Sequence, residues 1–337
     1  TNGIEIDSNG LNYQGDDDTY TVEYGTDGTA LHIVYSGATN GWIPTLDKAV
    51  DDVPSKGNQE GIFGYGEGGV SMTNLVSNSG VVSTDVTGVG TGRKELAATQ
   101  YGGDKAIFGY GYTATYVSMT NLVSNSGVVA TDTTGVGTVR TKLAACSYGD
   151  DYSKGIFGYG TTGSVSSLTN LISNVGVVAT DVTGVGTARM YLAACEFGGD
   201  KAIFGFGQST YSLTNLVSNT GVVATDTTGV GTGRGYLAAC SYGTDKGIFG
   251  FGNDGSNVSM TNLVSNTGVV ATDTSGVGTA RAQLAACEFG FDKGIFGFGF
   301  ASGNTAATNL VSNAGVVSSD TAGVGTARYN VAACSFN

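Results

Sequence analysis

From about residue 60 onward the chain repeats one pattern of short apolar segments. The string Ile-Phe-Gly-aromatic-Gly starts at Ile62, Ile107, Ile156, Ile203, Ile248 and Ile295, at intervals of 45, 49, 47, 45 and 47 residues. Each copy is followed by Thr-Asn-Leu-(Val/Ile)-Ser-Asn, Gly-Val-Val-(Ala/Ser)-(Thr/Ser)-Asp, Gly-Val-Gly-Thr-x-Arg and (Leu/Val)-Ala-Ala-(Cys/Thr). Segments of about 4–7 residues rich in Val, Ile, Phe, Tyr and Thr, punctuated by Gly and Asn, are strands rather than helices. Between two of them stands Asn-x-Gly, as at Asn78 to Gly80, Asn125 to Gly127 and Asn174 to Gly176. A glycine there takes positive φ without steric cost and makes a tight hairpin. The pattern therefore predicts four strands per repeat: a, Leu-Ala-Ala-Cys; b, Ile-Phe-Gly-aromatic-Gly; c, Asn-Leu-Val-Ser; d, Val-Val-Ala-Thr. Four-stranded units of about 40–50 residues are the mark of a β-propeller. The small side chains of strand a suit the crowded position nearest its axis.

The phase of the repeats predicts how such a ring closes. The first copy opens on strand b at Ile62 with no strand a before it, and the chain ends on Val331-Ala332-Ala333-Cys334, a strand a with no b after it. The last strand would complete the first blade and remove an exposed edge. The expected fold is all-β: a six-bladed, kelch-like propeller of four-stranded blades over residues 56–337, preceded by a small β-rich segment, residues 1–55. In that segment Tyr20–Tyr24 and Ala30–Tyr35 alternate as two strands around Gly25-Thr26-Asp27-Gly28, which predicts a hairpin. Gly41 to Val53 reads as a short helix or an extended connector.

Charge sharpens the boundary. Residues 1–55 carry net −9 and the remainder −4, making up the total of −13. The step falls beside Pro54-Ser55-Lys56-Gly57, a linker-like stretch. An acidic chain repels phosphate, so nucleic acid and anionic membrane are poor partners. No apolar run approaches the roughly 20 residues of a membrane span, which argues against insertion. With 57 glycines, 2 prolines and no Gly-X-Y period, the chain is neither collagen-like nor, given 40% hydrophobic residues, a disordered polymer. It begins at Thr1 with no basic-then-apolar leader, as a processed product or a piece of something longer would.

The repeat resembles the kelch repeat, in which an apolar strand ends in Gly-Gly and an Arg precedes the next unit. Here Tyr or Phe displaces the second glycine, and the kelch Trp is absent from every copy. The near-identical Thr-Asn-Leu-Val-Ser-Asn-x-Gly-Val-Val-Ala-Thr-Asp-x-Thr-Gly-Val-Gly-Thr-Ala-Arg unit is more similar to the repeat arrays of virion proteins of marine tailed bacteriophages, particularly tail-fibre-type proteins. That resemblance implies a virion, extracellular location and attachment to a host-cell surface glycan or protein. The N-terminal segment, too poor in apolar side chains for a core of its own, is expected to pack on the propeller, on a sister chain, as in a homotrimer, or on other virion proteins.

Candidate chemistry points away from catalysis. His32 is the sole histidine, so a Ser/His/Asp triad would have to reach outside the ring. The Asp-box of six-bladed sialidases is missing, and the non-repeated acids Glu60, Glu67, Glu95 and Asp254 fall on different repeats. Glu196 and Glu288 alternate with Ser and read as tolerated variation. The repeated Asp85, Asp132, Asp181, Asp226, Asp273 and Asp320, with Arg93, Arg140, Arg189, Arg234, Arg281 and Arg328, read as a device fixing the connection from d to a. Lys56, Lys105, Lys154, Lys201, Lys246 and Lys293 read likewise. Cys146, Cys195, Cys240, Cys287 and Cys334 share one strand-a position, taken by Thr99 in the remaining copy; they read as small buried apolar residues. Equivalent positions diverge around an axis, and no short-spaced pair suits a metal. Asp16-Asp17-Asp18 reads as a solvated acidic turn. No catalytic residue, cofactor or metal is expected.

The six copies differ mainly in the b–c loop and in the two residues after each Arg. With four antiparallel strands, both emerge on one rim. They supply Tyr112, Tyr116, Tyr191, Tyr211, Tyr236, Asn253, Phe300 and Tyr329 as candidate ligand-binding residues, with aromatic faces for stacking on sugars. The expected function is a non-enzymatic tail-fibre-type protein binding a host glycan through that face. The alternatives are a purely structural virion decoration or assembly protein, and a secreted lectin-like protein.

Overall fold

The computed structural model describes residues 4–6, 11–13, 22–24, 32–39, 41–46, 60–208 and 210–336. The chain divides into two compact units, Thr1–Ser55 and Lys56–Asn337.

In the first unit β1 (Ile4–Ile6) pairs with β2 (Val22–Tyr24), and β3 (His32–Tyr35) with β4 (Trp42–Leu46), both antiparallel. The predicted hairpin is thus corrected: β2 and β3 belong to different sheets. Alternation identifies a strand and its faces, but not which strand lies beside it. The partner of β3 is set by the turn after Tyr35, where Ser36 N–H donates to Gly41 O (2.8 Å) and Gly41 N–H to Gly37 O (2.7 Å). Gly41 is required there. Its φ is +64°, and a Cβ would overlap the Asn12 carbonyl. The stretch from Gly41 is extended as far as Leu46; its remainder, Asp16–Asp18 and Gly25–Gly28 lie outside the described residues.

Among its described residues the second unit is all-β apart from one 3-10 turn, Asp150–Tyr152. It contains six three-stranded antiparallel sheets, each of one repeated plan. The first strands are β7 (Ala97–Tyr101), β10 (Ala144–Tyr148), β13 (Ala193–Phe197), β16 (Ala238–Tyr242), β19 (Ala285–Phe289) and β22 (Ala332–Phe336). The middle strands are β8 (Lys105–Gly109), β11 (Lys154–Gly158), β14 (Lys201–Gly205), β17 (Lys246–Gly250), β20 (Lys293–Gly297) and β5 (Glu60–Gly64). The third strands are β9 (Thr120–Val123), β12 (Thr169–Ile172), β15 (Thr214–Val217), β18 (Thr261–Val264), β21 (Thr308–Val311) and β6 (Thr73–Val76). The terminal strand pairs with the first repeat: β22 lies beside β5 in the order β22-β5-β6. Strand b opens on Glu60 in the first repeat where the others have Lys, so Lys56 is not the counterpart of the other lysines; it lies outside the described residues.

The fourth segment does not run as a strand, which corrects the four-stranded expectation. In the first repeat it meets the third strand only at two isolated bridges, Val76 with Val82 and Thr73 with Val86. Asn74 explains this. Fully buried, it donates through Nδ2 to Ser83 O (3.0 Å) and to Asp85 Oδ1 (2.9 Å), so a side chain takes a carbonyl that a ladder would use. Asn121, Asn170, Asn215, Asn262 and Asn309 repeat the contact. The Asn-x-Gly turn forms as predicted: Gly80 has φ +78° and its N–H donates to Ser77 O.

Packing runs between repeats. The buried Phe of one middle strand lies against the glycine ending the previous one, where a Cβ on Gly109 would stand 2.5 Å from Phe157 and one on Gly297 2.7 Å from Phe63. An arginine seals each junction. Arg189, fully buried, stacks over the Tyr159 ring (4.4 Å) in its own repeat. It donates from Nε to Phe206 O (2.7 Å) and from Nη2 to Asn215 Oδ1 (2.7 Å) in the next. Asp226 of that next repeat faces Arg189 at 3.9 Å and accepts from Thr187 N–H and Oγ1–H. The Asp and Arg therefore join successive repeats, not the two ends of one connection. Arg328 makes the same bonds to Tyr65 O (2.8 Å), Asn74 Oδ1 (2.7 Å) and Asp85 (3.8 Å), residues of the first repeat. The last repeat thus meets the first through the bonds that Arg189 and Arg281 make to their next repeats, whereas Arg93 and Arg234 lack the Nη2 bond and Arg140 the Nε bond.

Candidate functional site

The two variable regions meet in the structure. The residue after each Arg is hydrogen-bonded to the following b–c loop: Lys94 bridges to Tyr112, Thr141 to Thr161, Gly235 to Asn253 and Ala282 to Phe300. Gln208 N–H donates to Met190 O (2.9 Å) and Glu67 N–H to Tyr329 O (2.8 Å). Both regions accordingly lie on one rim.

The next residue of each pair forms the centre of that rim. Lys142 N–H donates to Glu95 O, Tyr191 to Lys142, Tyr236 to Tyr191, Gln283 to Tyr236, Asn330 to Gln283 and Glu95 to Asn330, at 2.8–3.3 Å. The six bonds form an unbroken cycle. All six residues are left-handed, with φ between 55° and 60°. That conformation costs a non-glycine residue on the order of 1–2 kcal/mol. The chain has 57 glycines, yet places none here.

Because their main chains bond one another, these residues have only side chains to offer a ligand. Tyr191 and Tyr236 stack at 3.7 Å, inclined by 28°. Lys142 Nζ sits 4.8 Å over the Tyr191 ring and 3.9 Å from Glu95 Oε2. Burial raises the Glu95 carboxyl above its ordinary value, against the opposing pull of Lys142 and the Thr141 hydroxyl. Burial likewise pushes the Tyr236 phenol up. Beneath lies a floor of Leu96, Leu143, Leu192, Leu237, Leu284 and Val331, each 5–7% exposed. Rim and floor enclose a cavity of about 80 Å³, open outward.

The predicted residues fall into separate groups. Tyr191 and Tyr236 line this mouth. Tyr112 and Tyr116 face each other at 5.8 Å, with Lys94 Nζ 5.9 Å from the Tyr112 ring. Phe300 meets Tyr329 edge-on at 5.4 Å. Asn253 bonds Asn257 (3.1 Å), which donates in turn to Phe300 O (3.1 Å). Tyr211 stands on its own b–c loop and accepts from Arg234 N–H through its carbonyl (3.3 Å). The mouth also holds Glu95, Lys142, Gln283 and Asn330, which a search for aromatic residues passes over. Their signal is positional: each stands two residues after a repeated Arg and differs from copy to copy.

A second, smaller cavity of about 50 Å³ lies between the first strands, and the residues lining it include Glu196, Glu288, Gln100, Cys240, Cys287 and Cys334. Glu196 is held in place rather than merely tolerated. It accepts from Ser147 N–H (2.8 Å), Ser147 Oγ (2.7 Å) and Ser241 Oγ (2.6 Å). All five cysteines are buried and free, and burial pushes each thiol up. Tyr152, on the insertion that makes one interval 49 residues, donates to Thr244 O (3.2 Å), two repeats away. Among the described residues no group of three or more His, Cys, Asp or Glu side chains is placed to hold a metal. No family model matches the chain, and no curated protein matches it in sequence.

Proposed function

We propose that residues 56–337 form a six-bladed, kelch-like β-propeller and that the protein is a non-enzymatic, tail-fibre-type virion component. In this reading it attaches to a host-surface glycan through the face bearing the b–c loops, with the acidic N-terminal unit as its connection to other virion proteins. The ring rests on the repeated junctions, on β22 beside β5 and on the cycle of hydrogen bonds. The binding reading rests on one observation above all. Six left-handed positions around one mouth carry Glu, Lys, Tyr, Tyr, Gln and Asn where glycine would relieve the strain. Strain kept at varied, outward-facing side chains suits recognition better than folding. The test is adsorption to host cells, or binding to a glycan array, after Tyr112, Tyr191, Tyr236 and Tyr329 are changed together to Ala. Lost binding with an unchanged melting curve supports the reading; unchanged binding sinks it.

A purely structural virion role is the second reading. It is favoured by Val81, Val128, Val177, Val222, Val269 and Val316, which stand 63–66% exposed after the Asn-x-Gly turns. Repeated exposed valines suit contacts within an assembly. Particles whose adsorption ignores the four-tyrosine variant, but which fail to assemble when these valines become Ser, would favour it.

A further inference from the structure

Resting on the glycan-binding reading, we infer that the central mouth takes the acetamido group of an N-acetylated amino sugar. The cavity is open outward, and a pyranose standing over the mouth can direct one substituent at its floor. Chemistry decides which. The floor is five leucines and Val331, an apolar seat for a methyl group. Above it the half-buried Gln283 amide has no hydrogen-bond partner among the described residues. An amide presents one donor and one acceptor side by side, so an acetamido group can pair with it in both directions. The six main-chain N–H and C=O groups of the cycle are already bonded and do not compete.

Charge argues for a neutral ligand. Lys142 is matched by Glu95 at 3.9 Å, so the mouth offers no unbalanced charge. The net −4 of residues 56–337 further disfavours a sugar acid. The stacked Tyr191 and Tyr236 rings stand at the edge of the same cavity, where the pyranose attached to the acetamido group would rest.

The experiment is ligand-observed saturation-transfer NMR on the full chain with N-acetylglucosamine, N-acetylgalactosamine, glucosamine and glucose. Saturation should be strongest at the acetyl methyl, glucosamine and glucose should give little, and Gln283→Leu should weaken N-acetyl sugar binding about tenfold. The Gln283→Asn variant, whose shorter amide keeps both hydrogen-bonding groups, should retain part of it, and melting curves verify the fold of each. Suppose glycans bind without preference for the acetamido group, or Gln283→Leu changes nothing, while the four-tyrosine variant abolishes binding. The inference then fails and the binding face stands. Binding untouched by either variant overturns both, as does the absence of any glycan binding or host adsorption.

Discussion

The junction between the last repeat and the first offers the sharpest test of the fold. In Arg328→Met the aliphatic stem remains but the guanidinium is gone. Tyr65 O and Asn74 Oδ1, both in fully buried residues, lose the donors now at 2.8 and 2.7 Å. Each buried acceptor left without a partner costs roughly 1–3 kcal/mol. The Thr326 carbonyl belongs to an exposed residue and is resolvated. One term offsets the loss. Burial brings the Arg328 pKa down to about 10, opposed by Asp85, so the folded chain bears a desolvation penalty that the variant escapes. The net loss should be about 3 kcal/mol, near the lower end for breaking a buried charged cluster. At about 2–4 °C per kcal/mol, the melting temperature should fall by about 6–12 °C. The decisive comparison is Arg189→Met, which removes the same bonds from an interior junction. In a closed ring the two variants should agree within about 1 kcal/mol, because a ring has no end. The assay is differential scanning calorimetry of both variants beside the parent chain. A loss below about 1 kcal/mol for Arg328→Met against about 3 for Arg189→Met would refute closure, since an open array frays at its terminal junction.

Other consequences follow from the same contacts. Gly109→Ala places a Cβ 2.5 Å from the buried Phe157 ring, and should cost about 1–3 kcal/mol by chemical denaturation, where Gly303→Ala, exposed and with open space around it, should cost less. Desolvation raises each of the six repeated Asp carboxyls, but bonds from Thr and Asn and the facing Arg outweigh it and hold the pKa below the usual 3.8. A lowered folded-state pKa gives stability that is present above the unfolded-state value and lost as pH falls through the folded one. Acid unfolding should therefore set in below about pH 4 and steepen as the six carboxyls protonate together; Asp226→Asn should make circular-dichroism titrations shallower, and equal slopes would count against the argument. The five buried thiols, all pushed up in pKa, should resist a thiol reagent in the native chain and react together after unfolding. Fast native labelling of even one would contradict their burial.

Much of the architecture is legible in the residues because the same local solution is written six times. Alternation and Gly placement mark strands a, b and c, and the phase of the copies alone pairs Val331–Cys334 with the strand at Ile62. The same comparison marks the variable rim, since a core cannot vary freely and exposed loops can. Other features needed the tertiary structure. The fourth strand is absent because Asn74 and its five counterparts reach across and take the carbonyl that a ladder would hold. No propensity contains that choice between a side-chain and a main-chain donor. Arg189 was legible as a structural residue, but its partner Asp226 lies in the following repeat, a matter of how sheets stack. The partner of β3 depends on a turn that alternation cannot see. The mouth is the clearest case. Glu95, Lys142, Gln283 and Asn330 share no residue type, and only the closing of six backbones into one cycle brings them together with Tyr191 and Tyr236. A sequence specifies local conformation through short-range sterics, whereas a site assembled around an axis exists only once distant repeats have packed.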